Sequence, residues 1–197
     1  TGKRMRDLAR RPMENGSIIR ITDDCAHYEI IASQPVLPTS ELPSHLEVQD
    51  FLLASDSPCR ATLHTQPIEL VALSHSRKWL DSRRLTHMLW SMIPETLAFA
   101  PRGIGVVPYA MPGSNQLADA TLQQIKGHDV VLWEKHGVFA IGTDISEAFD
   151  QIDVLNKAAV IYMSACNMGF DPEGMIDEAI EGIQDTFKLA RPTFVEE

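Results

Sequence analysis

The sequence lacks the features that mark several large protein classes. Its 197 residues include only three cysteines, Cys25, Cys59 and Cys166, whose odd number and wide spacing suggest neither a disulfide framework nor a CxxC metal knuckle. No apolar run approaches the roughly 18 residues of a membrane helix. The basic start is not followed by the apolar stretch of a signal peptide. We therefore expect a cytoplasmic protein with no membrane partner.

Basic residues are also scarce. The chain has 17 Lys and Arg against 27 Asp and Glu, a formal net charge of −10. Affinity for nucleic acid comes mainly from clustered Lys and Arg, which argues against a nucleic-acid partner. A small anionic ligand would need a local site lined by cations or backbone amides.

The remaining composition is that of an ordinary globular domain, with 44% hydrophobic and 22% charged residues. There is no internal repeat, low-complexity tract or flexible linker, which favours one compact domain. We place this domain at residues 1–189 and a tail at residues 190–197. The first residue is Thr rather than Met, so we expect the natural product to be longer.

Short strand and helix signals alternate along the chain, which predicts a layered α/β fold. Strands are predicted at 17–22, 27–32, 60–64, 96–100, 103–108, 129–134 and 138–142. Helices are predicted at 41–54, from Pro67, from Ser82 to Met92, from Ser114 to Gly127, from Asp144 to Gly169 and around 172–183. The helix at Asp144 has the clearest start, because Glu147 completes a capping box.

The first candidate site is the turn that enters the helix at 41–54. Hydroxyls of Thr39 and Ser40, with the free N–H groups of a first helical turn, could bind a phosphate. Glu41 could act as an acid or base. An ordinary helix cap explains the two hydroxyls equally well, and a surface carboxylate that complements the helix dipole explains Glu41.

The second candidate site combines His64, Gln66 and His136. Side chains two residues apart in an extended segment point the same way, so His64 and Gln66 could share one metal ion. His136 lies in a short connection between two predicted strands, where Gly137 could take a positive φ. Imidazole nitrogen suits zinc and other first-row ions. Ordinary surface or hydrogen-bonded histidines remain an alternative, since five other histidines are available.

Glu95 follows Pro94 at the end of a Trp-containing segment. It could be a second acid or base, and an exposed carboxylate at a helix end is the plainer alternative. Its spacing to other polar residues does not decide between the two.

Five segments together resemble the class II sugar-phosphate aldolases, and within them the L-rhamnulose-1-phosphate aldolase type. The segments are PTSELPSH at 38–45, LHTQPIELVAL at 63–73, LWSMIPET at 89–96, PRGIGVVPYAMPG at 101–113 and VVLWEKHGVFAIG at 130–142. Their order and approximate spacing agree with that family, and the similarity extends to about Gly169. The resemblance implies a three-layer class II aldolase fold, with a central, largely antiparallel sheet flanked by helices, assembled as a homotetramer.

The resemblance also implies an activity and roles for the candidate residues. The reaction is the reversible cleavage of L-rhamnulose 1-phosphate to dihydroxyacetone phosphate and L-lactaldehyde, through an enediolate stabilised by Zn²⁺. Glu41 corresponds to the acid/base residue, and Glu95 to a residue that handles the aldehyde half across a subunit boundary. The roles implied for the other positions are phosphate binding by Gly2, Thr39 and Ser40, and metal binding by His64, position 66 and His136.

Two departures from the family bear on this expectation. Position 66 is Gln where the family has His, and a neutral amide oxygen is a poorer zinc ligand than imidazole. The family's N-terminal segment, which contacts the phosphate, has no counterpart in the sequence. Two other classes of function stay open: another class II aldolase, epimerase or dehydratase, and a non-catalytic assembly protein that keeps the fold but has lost its metal.

Overall fold

The computed structural model describes residues 8–32 and 36–194, and these residues form two compact units that divide after Leu42. The first unit contains a short helix α1 (Pro12–Asn15) and two strands, β1 (Ile19–Ile21) and β2 (Tyr28–Ile30). The strands pair antiparallel, with Ile19 opposite Ile30. The two strands predicted at 17–22 and 27–32 are therefore confirmed. The boundary placed at residue 189 stays a prediction.

The second unit begins within helix α2 and alternates helices with four strands. In chain order the elements are α2 (Leu42–Ala54), β3 (Ala61–Thr65), α3 (Ile68–Leu73), a 3-10 turn (Arg77–Trp79), α4 (Ser82–Met92), α5 (Glu95–Phe99), β4 (Ile104–Val107), α6 (Asn115–Ile125), β5 (Val130–Trp133), β6 (Gly137–Gly142), α7 (Ile145–Asn167) and α8 (Asp177–Phe187). Among these described helices, none is long and apolar enough to cross a bilayer.

The four strands form one sheet in the order β3-β6-β5-β4. Strand β6 pairs antiparallel with both β3 and β5, whereas β4 and β5 are parallel. The predicted α/β class and the largely antiparallel central sheet are therefore confirmed. The register sets His64 of β3 opposite Phe139 of β6, and Trp133 of β5 opposite Gly137 of β6.

Alternation along the strands gives the sheet two apolar faces. One face carries Val130, Leu132, Val138 and Ala140 and packs with residues of α3, α4 and α7. The other face carries Val131, Trp133, Phe139 and Ile141 and packs with Val48 and Leu52 of α2 and Leu117 and Ile125 of α6. The unit therefore has three layers, with helices on both sides of the sheet. His64 pairs with Phe139 and belongs to the second face.

The structure corrects the strand predicted at Thr96–Ala100. This segment is helix α5, which follows Pro94 and is stabilised by a hydrogen bond from Thr96 Oγ1 to the carbonyl oxygen of Ile93 at 2.6 Å. Its Leu97 is fully buried and packs with Trp90 and Ile180. The apolar run was too short to distinguish a strand from a helix by its pattern.

Three helix boundaries also differ from the predictions. Asp81, rather than Ser82, caps α4 by accepting a hydrogen bond from the Arg84 N–H at 2.7 Å. The Ser82 hydroxyl instead accepts a hydrogen bond from the Val106 N–H at 2.9 Å, which links α4 to β4. The helix α8 begins five residues after Pro172 and ends at a left-handed Lys188.

Candidate functional site

The turn between β5 and β6 presents His136. Lys135 in this turn has a φ of 58°, and its N–H donates to the buried hydroxyl of Ser74 at 2.8 Å. Glu134 accepts hydrogen bonds from Lys135 Nζ at 2.7 Å and from the Tyr109 N–H at 2.9 Å. These two bonds, led by the one from Lys135, hold the pKa of Glu134 below its usual value. The turn is therefore anchored to α3 and to the segment after β4.

The left-handed residue of this turn is Lys135, not Gly137 as predicted. Gly137 is the first residue of β6. Because it has no side chain, β6 can lie very close to the end of β3 at this point. A methyl group at this position would lie 2.6 Å from His64 Cε1 and 2.6 Å from the carbonyl oxygen of Thr65. It would also lie 3.3 Å from Gln66 Cγ. Only glycine lets β6 approach both His64 and Gln66 this closely.

His64 is oriented by the strand beside it. Its Nδ1 lies 3.0 Å from the carbonyl oxygen of Val138. Because a carbonyl oxygen can only accept, Nδ1 carries the proton and the lone pair belongs to Nε2. This is the arrangement in which a histidine ligates a metal through Nε2 while its other nitrogen is held by the protein.

The structure brings His64, Gln66 and His136 together. The imidazole centroids of His64 and His136 are 5.0 Å apart, with their planes inclined by 66°. Both rings lie against the indole of Trp133. An open cavity of about 600 Å³ is lined by Gln66, Ile68, Val71, Ala72, His75, Lys135 and His136. Gln66 and His136 therefore border a space large enough for a small substrate, and His64 contacts the His136 ring.

The donor set fits a divalent cation, with one unusual member. Within residues 8–32 and 36–194, no group of three His, Cys, Asp or Glu side chains is placed to hold a metal ion. A site at His64 and His136 therefore needs Gln66, whose amide oxygen would join two imidazole nitrogens. Imidazole and amide oxygen donors are both accepted by first-row divalent ions, although amide oxygen binds zinc more weakly than imidazole does.

Thr39, Ser40 and Glu41 form a hydrogen-bonded turn in the first unit. The N–H of Glu41 donates to Thr39 Oγ1 at 3.3 Å, and the Ser40 hydroxyl donates to a carboxylate oxygen of Glu41 at 3.3 Å. The N–H of Leu42 donates to the Thr39 carbonyl oxygen. Glu41 is buried, with 4% of its surface exposed, whereas Thr39 and Ser40 are exposed. A buried carboxylate is not the surface residue that the plainer alternative for Glu41 requires.

The structure does not bring Glu95 into the His64 cluster. Glu95 begins α5 and lines a different cavity of about 510 Å³, together with Asp150, Asp153 and Lys157. Lys157 Nζ is paired with Asp153 at 2.6 Å. Gly2, the remaining predicted site residue, lies outside the described residues.

Sequence reasoning missed Trp133 and Lys135 as part of the site. Trp133 falls within the strand predicted at 129–134, three positions before His136, where an apolar side chain is expected in any buried strand. Its contact with His64 depends on the pairing of β3 with β6 and of β6 with β5, which the local pattern does not reveal. Lys135 could have been noticed as a cation beside His136 in a short turn.

Comparisons with known proteins identify the family of this chain. Residues 7–163 match the class II aldolase and adducin N-terminal domain family. A rhamnulose-1-phosphate aldolase of Bacteroides thetaiotaomicron is 58% identical over 191 residues, which cover 97% of this chain and 71% of that protein. A second one, from Enterococcus faecalis, is 33% identical, and the match covers 86% of this chain and 61% of that protein.

Solved structures give the same answer for the fold. A sugar-phosphate aldolase from Thermotoga maritima superposes with a TM-score of 0.78 at 34% identity, covering 88% of this chain and 72% of that one. An L-fuculose 1-phosphate aldolase superposes with a TM-score of 0.58 at 23% identity, covering 81% of this chain and 68% of that one, and supports the fold alone. The family match spans most of the chain, so the protein belongs to the class II aldolase and adducin N-terminal domain family.

Proposed function

We propose that this chain cleaves L-rhamnulose 1-phosphate reversibly to dihydroxyacetone phosphate and L-lactaldehyde, as a metal-dependent aldehyde-lyase of rhamnose metabolism. The observation that carries the proposal is the contact of His64 with His136, beside a cavity that Gln66 and His136 line, in a chain 58% identical to a rhamnulose-1-phosphate aldolase. Class II aldolases are metal-dependent. The side chains of His64, Gln66 and His136 are uncharged donors that could hold such a metal. We propose residues 1–189 as the aldolase domain and 190–197 as a tail.

His64, Gln66 and His136 would hold one divalent cation, which we propose to be Zn²⁺. A bound divalent cation supplies Lewis-acid stabilisation of the negative charge that develops on the enediolate. The replacement of His by Gln keeps all three donors uncharged, so the donor set does not reduce the charge available for that stabilisation. The cost of Gln66 falls on affinity rather than on the electrostatic effect of the site.

The reaction breaks the C3–C4 bond of the ketose. The C4 hydroxyl loses its proton, the bonding electrons pass into the three-carbon fragment, and a proton added at C3 completes dihydroxyacetone phosphate. We assign the proton transfer at C3 to Glu41, because a positioned carboxylic acid can donate this proton and remove it in the reverse direction. Its burial beside the Ser40 hydroxyl supports the assignment.

The phosphate end of the substrate is assigned to Thr39 and Ser40, with Gly2 as a further contact. Exposed hydroxyls at the start of α2 suit an anion, because the first N–H groups of a helix carry partial positive charge. Phosphate binding by hydroxyls and backbone N–H groups needs no lysine or arginine, which agrees with the acidic composition of the chain.

We assign Glu95 to the aldehyde half of the substrate, acting from a neighbouring subunit of a homotetramer. Its place in a cavity separate from the His64 cluster fits a role at another copy's site. Phe99, half exposed in the same cavity, gives this surface an apolar component suited to an interface. We also propose a reducing, cytoplasmic location, which suits three cysteines that form no disulfide.

A second candidate function is a non-catalytic assembly domain that has lost its metal. Gln66 is the specific observation in its favour, and the family includes adducin domains as well as aldolases. Another class II aldolase or epimerase is a third candidate, since the fold is shared with fuculose-phosphate aldolase. These alternatives make different predictions for metal content and substrate.

The test measures zinc content by elemental analysis and dihydroxyacetone phosphate release from rhamnulose 1-phosphate by a coupled assay. It compares the natural protein, Gln66→His, and Gln116→His, which adds an exposed histidine elsewhere as a control for adventitious zinc. We expect about one zinc per chain with cleavage, and tighter zinc binding in Gln66→His alone. Zinc and cleavage only in Gln66→His would favour the assembly domain. Zinc in neither would contradict the metal site, and zinc without cleavage of this ketose would favour another substrate.

A further inference from the structure

The two candidate imidazole ligands lie against one indole. The centroid of His64 is 4.6 Å from the Trp133 ring with an interplanar angle of 30°, and that of His136 is 5.0 Å away with an angle of 36°. The two imidazoles are themselves 5.0 Å apart. The three rings therefore form a mutually contacting group in which the position of each limits the other two.

The indole itself is fixed from several sides. Trp133 is 1% exposed, and its Nε1–H donates to Thr121 Oγ1 at 2.9 Å. The Thr121 hydroxyl donates in turn to the Leu117 carbonyl oxygen of α6 at 2.6 Å. Phe139 stacks on Trp133 with centroids 5.5 Å apart. Rotation of the indole would leave a buried N–H without an acceptor, which opposes that rotation.

We propose that Trp133 is a positioning residue that holds the His64 and His136 imidazoles in a ligand geometry before any cation binds. This inference rests on the proposed function, because it concerns the same metal site. Binding is tighter when ligands are ordered in advance, since the ordering cost is then already met by folding. Trp133 reaches neither cation nor substrate in this scheme and acts only through the two histidines.

The identity of the third donor increases the importance of this positioning. A glutamine side chain has three rotatable bonds, so fixing it costs more conformational entropy than fixing a histidine, which has two. If His64 and His136 were also free to rotate, a site with such a third ligand would bind weakly. The indole removes that freedom from two of the three ligands, and Gly137 allows the strands to approach closely enough for the contact.

The experiment measures zinc affinity by competition with a chromophoric chelator in four proteins. These are the natural chain, Trp133→Phe, Thr121→Val and Trp90→Phe. Trp90 is a matched control, because it is also buried and its Nε1–H donates to a backbone oxygen, that of Ala100 at 3.1 Å, but it packs with Leu97 and Ile180. Circular dichroism confirms that each variant is folded, and Thr121→Val carries the test if Trp133→Phe does not fold.

We expect Trp133→Phe and Thr121→Val to weaken zinc binding about 10-fold or more, the effect typical of groups that orient metal ligands. Trp90→Phe should stay within about twofold of the natural chain, even if it is less stable. Equal zinc affinity in all four proteins would overturn the positioning role while leaving the metal site intact.

A second measurement separates this inference from the proposed function. In the metal-free protein, the ring currents of Trp133 should shift the Cε1–H proton signals of His64 and His136 in NMR spectra. Trp133→Phe should move both signals and Trp90→Phe neither. If the signals behave in this way but the natural chain binds no zinc, the positioning role stands and the metal proposal fails. If neither signal moves in Trp133→Phe, the positioning role is wrong whatever the zinc result.

Discussion

Gly137 shows how one residue without a side chain can determine a site. An added methyl group would come within 2.6 Å of both His64 Cε1 and the Thr65 carbonyl oxygen, so His64 or the strand would have to move. We predict that Gly137→Ala lowers the free energy of unfolding by about 1–3 kcal/mol, the usual cost of overpacking, and weakens zinc binding. Urea denaturation and chelator competition measure the two effects.

Gly182→Ala is the matched control for this change. Gly182 lies inside α8, and apart from the adjacent helix backbone no heavy atom of the described residues lies within 4 Å of an added methyl group. Alanine is the better helix former, so this variant should gain about 0.5–1 kcal/mol and bind zinc as the natural chain does. A Gly137→Ala protein with normal stability and zinc affinity would show that His64 and Gln66 adapt to the added group.

His128 gives the protein a predicted dependence on pH. The residue is fully buried, its Nδ1–H donates to the Arg102 carbonyl oxygen at 2.7 Å, and burial lowers its pKa below the ordinary 6.5. The unfolded chain then binds a proton more readily than the native state does. We predict that the contribution of His128 to the free energy of unfolding is complete above about pH 6.5. Below that pH the contribution is lost, by at most about 1.4 kcal/mol per pH unit, as the pH falls toward the lowered pKa of the native state.

Chemical denaturation at several pH values between 5 and 8 measures this effect. His128→Asn, which can still donate to the Arg102 carbonyl oxygen, should give a flatter profile below pH 6.5. The same change at the exposed His27 is the control for removal of a histidine in general. A profile in His128→Asn as steep as that of the natural chain would mean that other groups cause the acid sensitivity.

Residue patterns predicted the positions of the candidate ligands but not their surroundings. The spacing of His64 and Gln66 was sufficient to predict that both side chains lie on one side of the extended segment formed by β3 and the residue after it. The third candidate, His136, was proposed from its place in a short connection between two predicted strands and from the family resemblance. Its approach to His64 could not be predicted locally, because it depends on pairing between segments 74 positions apart. Trp133 was missed for the same reason.

At the scale of elements, helix α7 has the best-defined start. Asp144 accepts a hydrogen bond from the Glu147 N–H at 2.9 Å, and Glu147 accepts one from the Thr143 hydroxyl at 2.6 Å. We predict that Asp144→Ala lowers the free energy of unfolding by about 1 kcal/mol, whereas Asp144→Asn, which keeps an acceptor, changes it by less than half as much. Thermal or urea unfolding checks this. Equal losses in both variants would show that charge, not capping, is the important contribution of Asp144.

The contrast between α7 and α5 explains which elements could be predicted. Helix α7 has a capping pair, a long apolar stripe and a glycine after its end, so independent signals agree on Asp144 to Gly169, against the observed Ile145–Asn167. Helix α5 has five residues, and its helical form depends on tertiary contacts of Leu97 with Trp90 and Ile180. A short apolar segment cannot indicate such contacts, and the strand prediction there was wrong.

At the scale of the whole molecule, the alternation of helices and strands was predictable apart from α5, and the order of strands in the sheet was not. Alternating short signals along the chain indicated a layered α/β fold. The arrangement β3-β6-β5-β4 places the last strand of the sequence between the first and third of this sheet, which follows from long-range packing. This arrangement brings the end of β3 beside the β5–β6 turn, and therefore His64 beside His136.

A cation that binds the native state alone should stabilise the whole protein by mass action. At a free zinc concentration 100 times the dissociation constant the gain is about 2.7 kcal/mol, or roughly 5–10 °C in melting temperature for a chain of this size. Because a third imidazole binds zinc more tightly than an amide, Gln66→His should show a larger rise than the natural chain at the same zinc concentration. Gln66→Ala should show a smaller rise.

Differential scanning calorimetry with zinc, and with excess chelator, measures these shifts in melting temperature. His87→Gln, which removes an exposed histidine paired with Asp177, is the control and should respond as the natural chain does. Equal shifts in the Gln66→Ala, Gln66→His and natural proteins would mean that zinc stabilises the fold without using position 66.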